Sequence, residues 1–431
     1  MKRPNGIQDV LEHRLCVGCG ACAYASGGAV KMHHVFEEGW RPRWREELAI
    51  DVARRCAAAC PVVDLDSPGL DREEDALSIA CRDAGLGPVR KIWEVHATDA
   101  DLRFRGASGG ALSALSVHGL DEGCGGVLHV AQSETSPFRN ETVLSRSRDE
   151  LLVRTGSRYS PTKLCADLDL LRRADAPCVV IGQPSEIAGF HGLLPLEPEL
   201  RERTAVTLSF FCAGAPAAKG TWDLIRAHGV EPSDVRRIRY RGRGWPGHFA
   251  VWVDREDEPV LELTYAESWS YVQSYRTWGV HLWPDGAGEA ADVSCGDPWY
   301  REIEPGEPGS SLVIARTERG EAFVQRAIDA GALSAAPIRW EQVRDSQTNL
   351  LDKKANMPGR YLAMRLLGLR APRYANYGLA PLWSELPLVR RVRIVLGTMR
   401  RLIQRGHLRR AVLEVPREVD DPTAAAPLRS S

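Results

Sequence analysis

Cys178-Val179-Val180-Ile181-Gly182-Gln183-Pro184-Ser185-Glu186-Ile187-Ala188-Gly189 is the stretch on which the fold turns. Its first four residues form a compact β-rich run, Gly182-Gln183-Pro184 reads as a turn, and a helix is expected from Glu186. The same grammar recurs on both sides. Residues 91–97 read as a strand, and 111–118 read as a helix after the turn Ser108-Gly109-Gly110. Residues 205–211 form another apolar run, followed by Cys212-Ala213-Gly214-Ala215-Pro216 and a helix ending near Gly229. Repetition of strand, Gly/Pro turn and helix argues for an α/β core with a mixed sheet, carrying a hairpin-like insertion over 235–253.

Upstream of this core the chain is chemically different. Five of its eleven cysteines fall between Cys16 and Cys60. Cys16-Val-Gly-Cys19-Gly-Ala-Cys22 is a C-x2-C-x2-C run, a spacing that wraps three thiolates around one object, with glycines to let the backbone turn tightly. A bacterial ferredoxin would continue to a fourth cysteine and a proline; here Ser26 and Gly27 follow instead. Cys60-Pro61 restores the Cys-Pro ending one excursion downstream, so Cys60 is the expected fourth ligand of a 4Fe-4S cluster and Cys56 the reserve. Zinc accepts four cysteines too, but its sites usually pair two C-x2-C knuckles. The segment 1–66 is therefore expected to be a small, ferredoxin-like iron-sulfur unit.

A polar, charged linker is expected over 67–90. The core divides into 91–165 and 166–335, and 336–431 reads as a mainly helical, arginine-rich extension. Within it Leu388, Val392, Val395, Met399, Leu402 and Ile403 recur at helical spacing with arginines on the other face. Such a helix either packs on its own domain with solvated arginines or meets a partner or a membrane surface. Residues 420–431 read as a disordered tail.

At 431 residues, 44% hydrophobic and a formal net charge of -1, the chain can bury a full core and has no global pull toward nucleic acid or an anionic surface. Its first residues lack the apolar core of a secretory signal, and no window is long and apolar enough to span a bilayer. A cytoplasmic, reducing location is expected, in which eleven cysteines are not a disulfide framework. Two motifs are decoys. Gly242-Arg-Gly244-Trp-Pro-Gly247 runs into a strand instead of opening a helix, and the loop from Gly214 to Thr221 lacks the GK[ST] of a P-loop.

In order along the chain stand Cys16 to Cys22, Ala107-Ser108-Gly109-Gly110, Gly156-Ser157-Arg158-Tyr159-Ser160-Pro161 and Ile181 to Gly189. Phe211-Cys212-Ala213-Gly214, Tyr240 to Gly247 and Ala291-Asp292-Val293-Ser294-Cys295-Gly296-Asp297-Pro298-Trp299 follow. This succession resembles the coenzyme F420 hydrogenase/dehydrogenase beta subunit family. The resemblance implies an iron-sulfur flavoprotein with FAD, exchanging electrons with coenzyme F420 or ferredoxin and acting on an organic substrate. It implies that Ser108, Gly109, Gly110, Gly156, Ser157 and Tyr159 line the flavin, together with Gly182, Pro184, Cys212 and Gly214. Tyr159, His281 and Asp297 are candidates for the catalytic pocket, while Cys212 is either a buried structural thiol or a group near the flavin.

The family includes F420-linked subunits, stand-alone reductases such as 7-hydroxymethyl chlorophyll a reductase, and members that accompany polysaccharide biosynthesis. The alternatives to a self-contained reductase are thus a non-catalytic electron-transfer subunit of a larger complex and a polysaccharide-biosynthesis accessory protein. The sequence departs from the family at two places. Ser185 replaces a cysteine, and the usual R-C-x-x-C-P-D becomes Gly279-Val280-His281-Leu282-Trp283-Pro284-Asp285.

Overall fold

In the computed structural model, which describes residues 3–66, 75–253, 258–304, 306–413 and 422–423, Cys178–Ile181 is a strand and Pro184–Leu193 a helix. The helix begins two residues earlier than the sequence suggested. Pro184 occupies its first turn, where a missing N–H costs nothing, and Gln183 and Glu186 close a reciprocal cap across it.

The strand lies in an eight-stranded mixed sheet. Its spatial order is Leu333–Pro337, Lys91–Ala97, Ser311–Ala315, Val293–Gly296, Thr204–Phe210, Cys178–Ile181, Val127–Gln132 and Asn140–Ser145. The four strands from Val293–Gly296 to Val127–Gln132 run parallel, and the pairings outside them are antiparallel. Lys91–Ala97 sits between two strands from the far end of the core, so the regions 91–165 and 166–335 share one sheet.

Alternation along the strands supplies a core on each face. Val127, Val179 and Val293 turn to one side with Leu115, Phe323 and Val324. Leu128, Cys178 and Val180 turn to the other, against Leu164, Ile187 and Phe190.

This second core also receives the N-terminal segment. That segment is built from the helices Ile7–Glu12 and Ala21–Ala25, the hairpin of Lys31–Val35 with Gly39–Arg43, and the helix Ile50–Ala59. A ferredoxin-like unit was the expectation; the observed arrangement is this helix-hairpin-helix wrap, which packs directly on Pro184–Leu193. At Gly192 a Cβ would stand 2.8 Å from the Ala59 carbonyl oxygen, so glycine is what lets the two helices close.

The insertion is larger than a hairpin: Arg237–Arg239, His248–Trp252 and Leu261–Thr264 form a three-stranded antiparallel sheet centred on His248–Trp252. The loop from Gly242 to Gly247 leads into its central strand, as its proline and the following apolar residues indicated.

The C-terminal extension is helical, with Thr348–Ala355, Met357–Leu366, Leu379–Glu385 and Leu388–Gln404. Tyr374–Ala375 pairs in parallel with Leu65–Asp66, tying the extension to the N-terminal segment. Of the expected linker, Ala76–Asp83 is a helix capped by the Asp75 carboxylate, while residues 67–74 lie outside the described residues. The expected disordered tail also lies outside them, apart from 422–423. No helix among the described residues is long and apolar enough to cross a membrane.

Candidate functional site

Cys16, Cys19, Cys22 and Cys60 line a single hollow, whose remaining wall is apolar and includes Ile7, Val10 and Val62. The tight path of the first three depends on glycine. Gly20 has φ +87°, and a Cβ there would lie 2.6 Å from the Ala166 amide nitrogen. Burial pushes the Cys60 thiol up to about 12. Burial, and then the neighbouring Cys60 thiol, raises Cys19 and Cys22 well above the ordinary range. Cys56 does not line the hollow, and its thiol donates to the Cys22 carbonyl oxygen at 3.3 Å. Among the described residues, no three His, Cys, Asp or Glu side chains converge as one bound metal ion requires.

A larger cavity of about 360 Å³ opens at the carboxyl ends of the parallel strands, where open α/β sheets place their ligands. Of the residues singled out from the sequence, Ser108, Gly110, Gly156, Ser157, Tyr159, Gly182, Cys212, Gly214 and Asp297 line it. Gly109, Pro184 and His281 do not. Gly109 instead packs on the backbone of Ser310 and Ser311, and its N–H donates to Ser311 Oγ. Pro184 starts its helix. His281 ends the short helix Trp278–His281, where burial, followed by Arg276, Lys353 and Arg360, lowers its pKa to about 3.

Each remaining candidate has a definable setting. Ser108 does not cap the helix Ala111–Asp121: its hydroxyl meets Ser311 Oγ at 2.7 Å, and Gly110, at φ +74°, is the N-cap. The N-cap gives no side-chain bond to the first N–H groups of that helix, whose residues Ala111, Leu112 and Ser113 line the cavity. Tyr159 packs against Trp269 and Tyr240 at ring-centroid distances of 4.9 and 5.6 Å, and burial raises its phenol pKa.

Asp297 is held on two sides. It accepts from Arg241 Nη1 and Nη2 at 3.0 and 2.7 Å and from Trp245 Nε1 at 3.0 Å. Arg241 in turn donates to the carbonyls of Ala107 and Pro246, joining the glycine turn to the insertion. Cys212 Sγ accepts from the Gly214 N–H at 3.3 Å, and burial raises its pKa.

Three cavity residues had been given no role from the sequence. Arg241 was quoted in a motif without a function. Glu186 is fully buried, accepting from the amides of Leu164 and Gln183 at 2.8 and 3.1 Å; burial raises its pKa against those donors. His129 meets Ser145 Oγ at 2.8 Å, and burial, then Arg154, lowers its pKa to about 4. The Gln183–Glu186 spacing is a cap signature, but nothing local marks His129 as a cavity residue.

The histidine has a pH consequence. Its native pKa lies below the 6.5 of the unfolded chain, so stability present above about 6.5 is lost as the pH falls toward about 4. Near pH 5 the expected contribution is on the order of 2 kcal/mol, and a melting series should show His129→Gln flattening that part of the profile.

One helix lines the cavity and approaches a thiol of the hollow. Gln183 and Glu186 face the cavity, and at Gly189, one turn on, a Cβ would stand 3.0 Å from Cys19 Sγ. Three helical residues correspond to a rise of about 4.5 Å, so the thiol hollow and the cavity are close neighbours across Pro184–Leu193. Gly189→Val is expected to drive its methyls into Cys19, costing roughly 1–3 kcal/mol as overpacking, which a melting curve would read as a lowered midpoint.

Comparison with known proteins agrees with this architecture. The model described as "Coenzyme F420 hydrogenase/dehydrogenase, beta subunit N-term" matches residues 92–168, and the corresponding C-terminus model matches 176–340. The chain belongs to the coenzyme F420 hydrogenase/dehydrogenase beta subunit family.

Within that family, it is 24% identical over 296 residues to the coenzyme F420 hydrogenase subunit beta of Methanococcus voltae, covering 67% of this chain and 99% of the relative. The subunit of the same name from Methanothermobacter thermautotrophicus is 24% identical over 299 residues, with the same coverage. A chain of the F420-reducing [NiFe] hydrogenase complex from Methanosarcina barkeri shares the fold, with a TM-score of 0.52 and 20% identity, covering 70% of this chain and 99% of that one. The beta subunit family models begin at residue 92 and end at 340, so the cysteine segment and the helical extension lie outside them.

Proposed function

We propose that this member of the beta subunit family is an iron-sulfur flavoprotein oxidoreductase. Cys16, Cys19, Cys22 and Cys60 would hold a 4Fe-4S cluster, and the cavity at the strand ends would hold FAD. The observation that carries the reading is the shared helix Pro184–Leu193, which touches Cys19 with Gly189 and the cavity with Gln183 and Glu186.

The residues present fit both groups. Four thiols line one apolar hollow, and an all-thiolate set of four is the donor set an iron-sulfur cluster takes. The cavity offers aromatic walls in Tyr159, Tyr265, Trp269 and Trp299, and a helix N-terminus at Ala111 for an anionic group. Flavin would supply the conversion between paired and single electrons, and the cluster a one-electron relay.

The chain's own residues orient and enclose. Arg241 and Asp297 brace the rim against Ala107 and Trp245, Tyr159 closes the aromatic side, and Glu186 carries a buried carboxyl at the wall nearest the thiols. The relatives are named for coenzyme F420, which favours a reduced deazaflavin over ferredoxin as the donor. Anaerobically purified protein is expected to contain iron, labile sulfide and flavin, and reduced F420 to bleach the flavin band. Protein lacking both iron with sulfide and flavin would refute the proposal.

A second reading is an electron-transfer subunit of a larger assembly, favoured by the hydrogenase complex that contains the structural neighbour. Co-purification of partner subunits, with no turnover by the isolated chain, distinguishes it from a self-contained reductase.

A further inference from the structure

The extension beyond residue 340, outside the family models, carries an unusual helix. Residues 386–413 contain eight arginines and no Asp or Glu. One sequence-based expectation was that the apolar stripe of this helix packs on its own domain. It does so only at one edge: Thr398 and Leu402 are the buried residues of Leu388–Gln404.

Val395 and Met399 are half-buried, while Leu388, Val392 and Ile403 of the stripe, with the adjoining Leu396, are 73%, 49%, 54% and 59% exposed. At about 100° per residue these four side chains fall within roughly 80° of one another around the axis. Arg393 and Arg400 border the stripe on the side away from the packed edge, and Arg390, Arg401 and Arg405 stand behind them. A water-facing apolar stripe beside an arginine-rich flank is the reverse of what an isolated domain needs, and it matches a helix lying in a bilayer interface.

The cationic flank is also shaped. Between Met357–Leu366 and Leu388–Gln404 lies an open hollow of about 600 Å³ walled by Arg360, Arg390, Arg393 and Arg401, of which Arg390 is paired with Asp352. Asn356 lines the same hollow, and its buried Oδ1 has no hydrogen-bond partner. Arginines suit phosphate oxygens, and an unpaired amide oxygen suits a headgroup hydroxyl. No helix among the described residues can cross a membrane, so any contact is made along the surface.

We propose that Leu388–Gln404 lies on an anionic phospholipid surface, with Leu388, Val392, Leu396 and Ile403 at the acyl boundary and the neighbouring arginines at the phosphates. The inference is independent of the cofactor reading.

The test is flotation of the full chain with phosphatidylglycerol-containing vesicles and with phosphatidylcholine vesicles. Binding is expected only to the former, and Val392→Asp with Leu396→Asp should weaken it by about tenfold or more without moving the melting temperature, because both positions are exposed. Leu396→Met, which keeps the apolar character, should bind as the parent does. Inorganic phosphate at matched ionic strength should leave binding in place, since it cannot occupy the stripe. Absence of binding, equal binding to both vesicles, an unaffected Asp double variant, or full displacement by phosphate would each overturn the proposal.

Discussion

Cys60→Ser is expected to strip the proposed iron-sulfur cluster, whereas Cys56→Ser is expected to leave it. Cys60 lines the same hollow as Cys16, Cys19 and Cys22, while Cys56 points its thiol at the Cys22 carbonyl oxygen. Loss of outer-shell partners already costs roughly 10–100-fold in metal affinity, and loss of a ligand costs more. Iron and labile sulfide per chain, read with the visible absorption of anaerobically prepared protein, should fall at least about tenfold for Cys60→Ser. A serine at position 56 can still donate to the Cys22 carbonyl, so that variant should keep near-parental iron. The reverse pattern would make Cys56 the ligand.

The second large effect is expected at Asp297. From the sequence it was a candidate for the catalytic pocket, and in the structure it lines the cavity, bound by both nitrogens of the Arg241 fork and by Trp245. Arg241 is only 4% exposed, so Asp297→Ala leaves a buried guanidinium without its counter-charge. Breaking a buried pair in this way typically costs about 3–5 kcal/mol, and retention of the flavin should fall with it. Asp297→Asn keeps one acceptor oxygen and should lie between the two. Melting temperature, flavin content and turnover separate the roles. If Asp297→Asn holds flavin and melts like the parent yet loses turnover, Asp297 is a catalytic residue and the bracing role is wrong.

The cofactor sites were legible in the sequence to different depths. The C-x2-C-x2-C run is local, because its thiols sit within seven residues, and its spacing alone calls for a shared object. Choosing Cys60 over Cys56 needed only the Cys-Pro ending; in the structure Cys60 lines the hollow and Cys56 does not. The cavity was legible as separate turns, each of them weak. His281 shows the limit: a histidine in a quoted motif looked like a pocket residue, yet the helix Trp278–His281 sets it outside the lining, among Arg276, Lys353 and Arg360. His129 shows the converse, since one more residue in a strand carries no mark of the cavity it faces.

Strand, turn and helix over 178–193 were determined by the sequence itself, because β-branched runs, Gly/Pro stops and helix caps act over a few residues, within the reach of local sterics and hydrogen bonds. So was the amphipathic character of Leu388–Gln404. Only the tertiary structure decided that Lys91–Ala97 enters the sheet between two distant strands, and that one helix separates the thiols from the cavity. It also decided that the apolar stripe near the C-terminus looks outward. These follow from which surfaces meet, which depends on shape complementarity summed over residues far apart in the chain: a glycine at 189 admits Cys19, and a glycine at 192 admits Ala59. Spacing along the chain carries no record of such contacts.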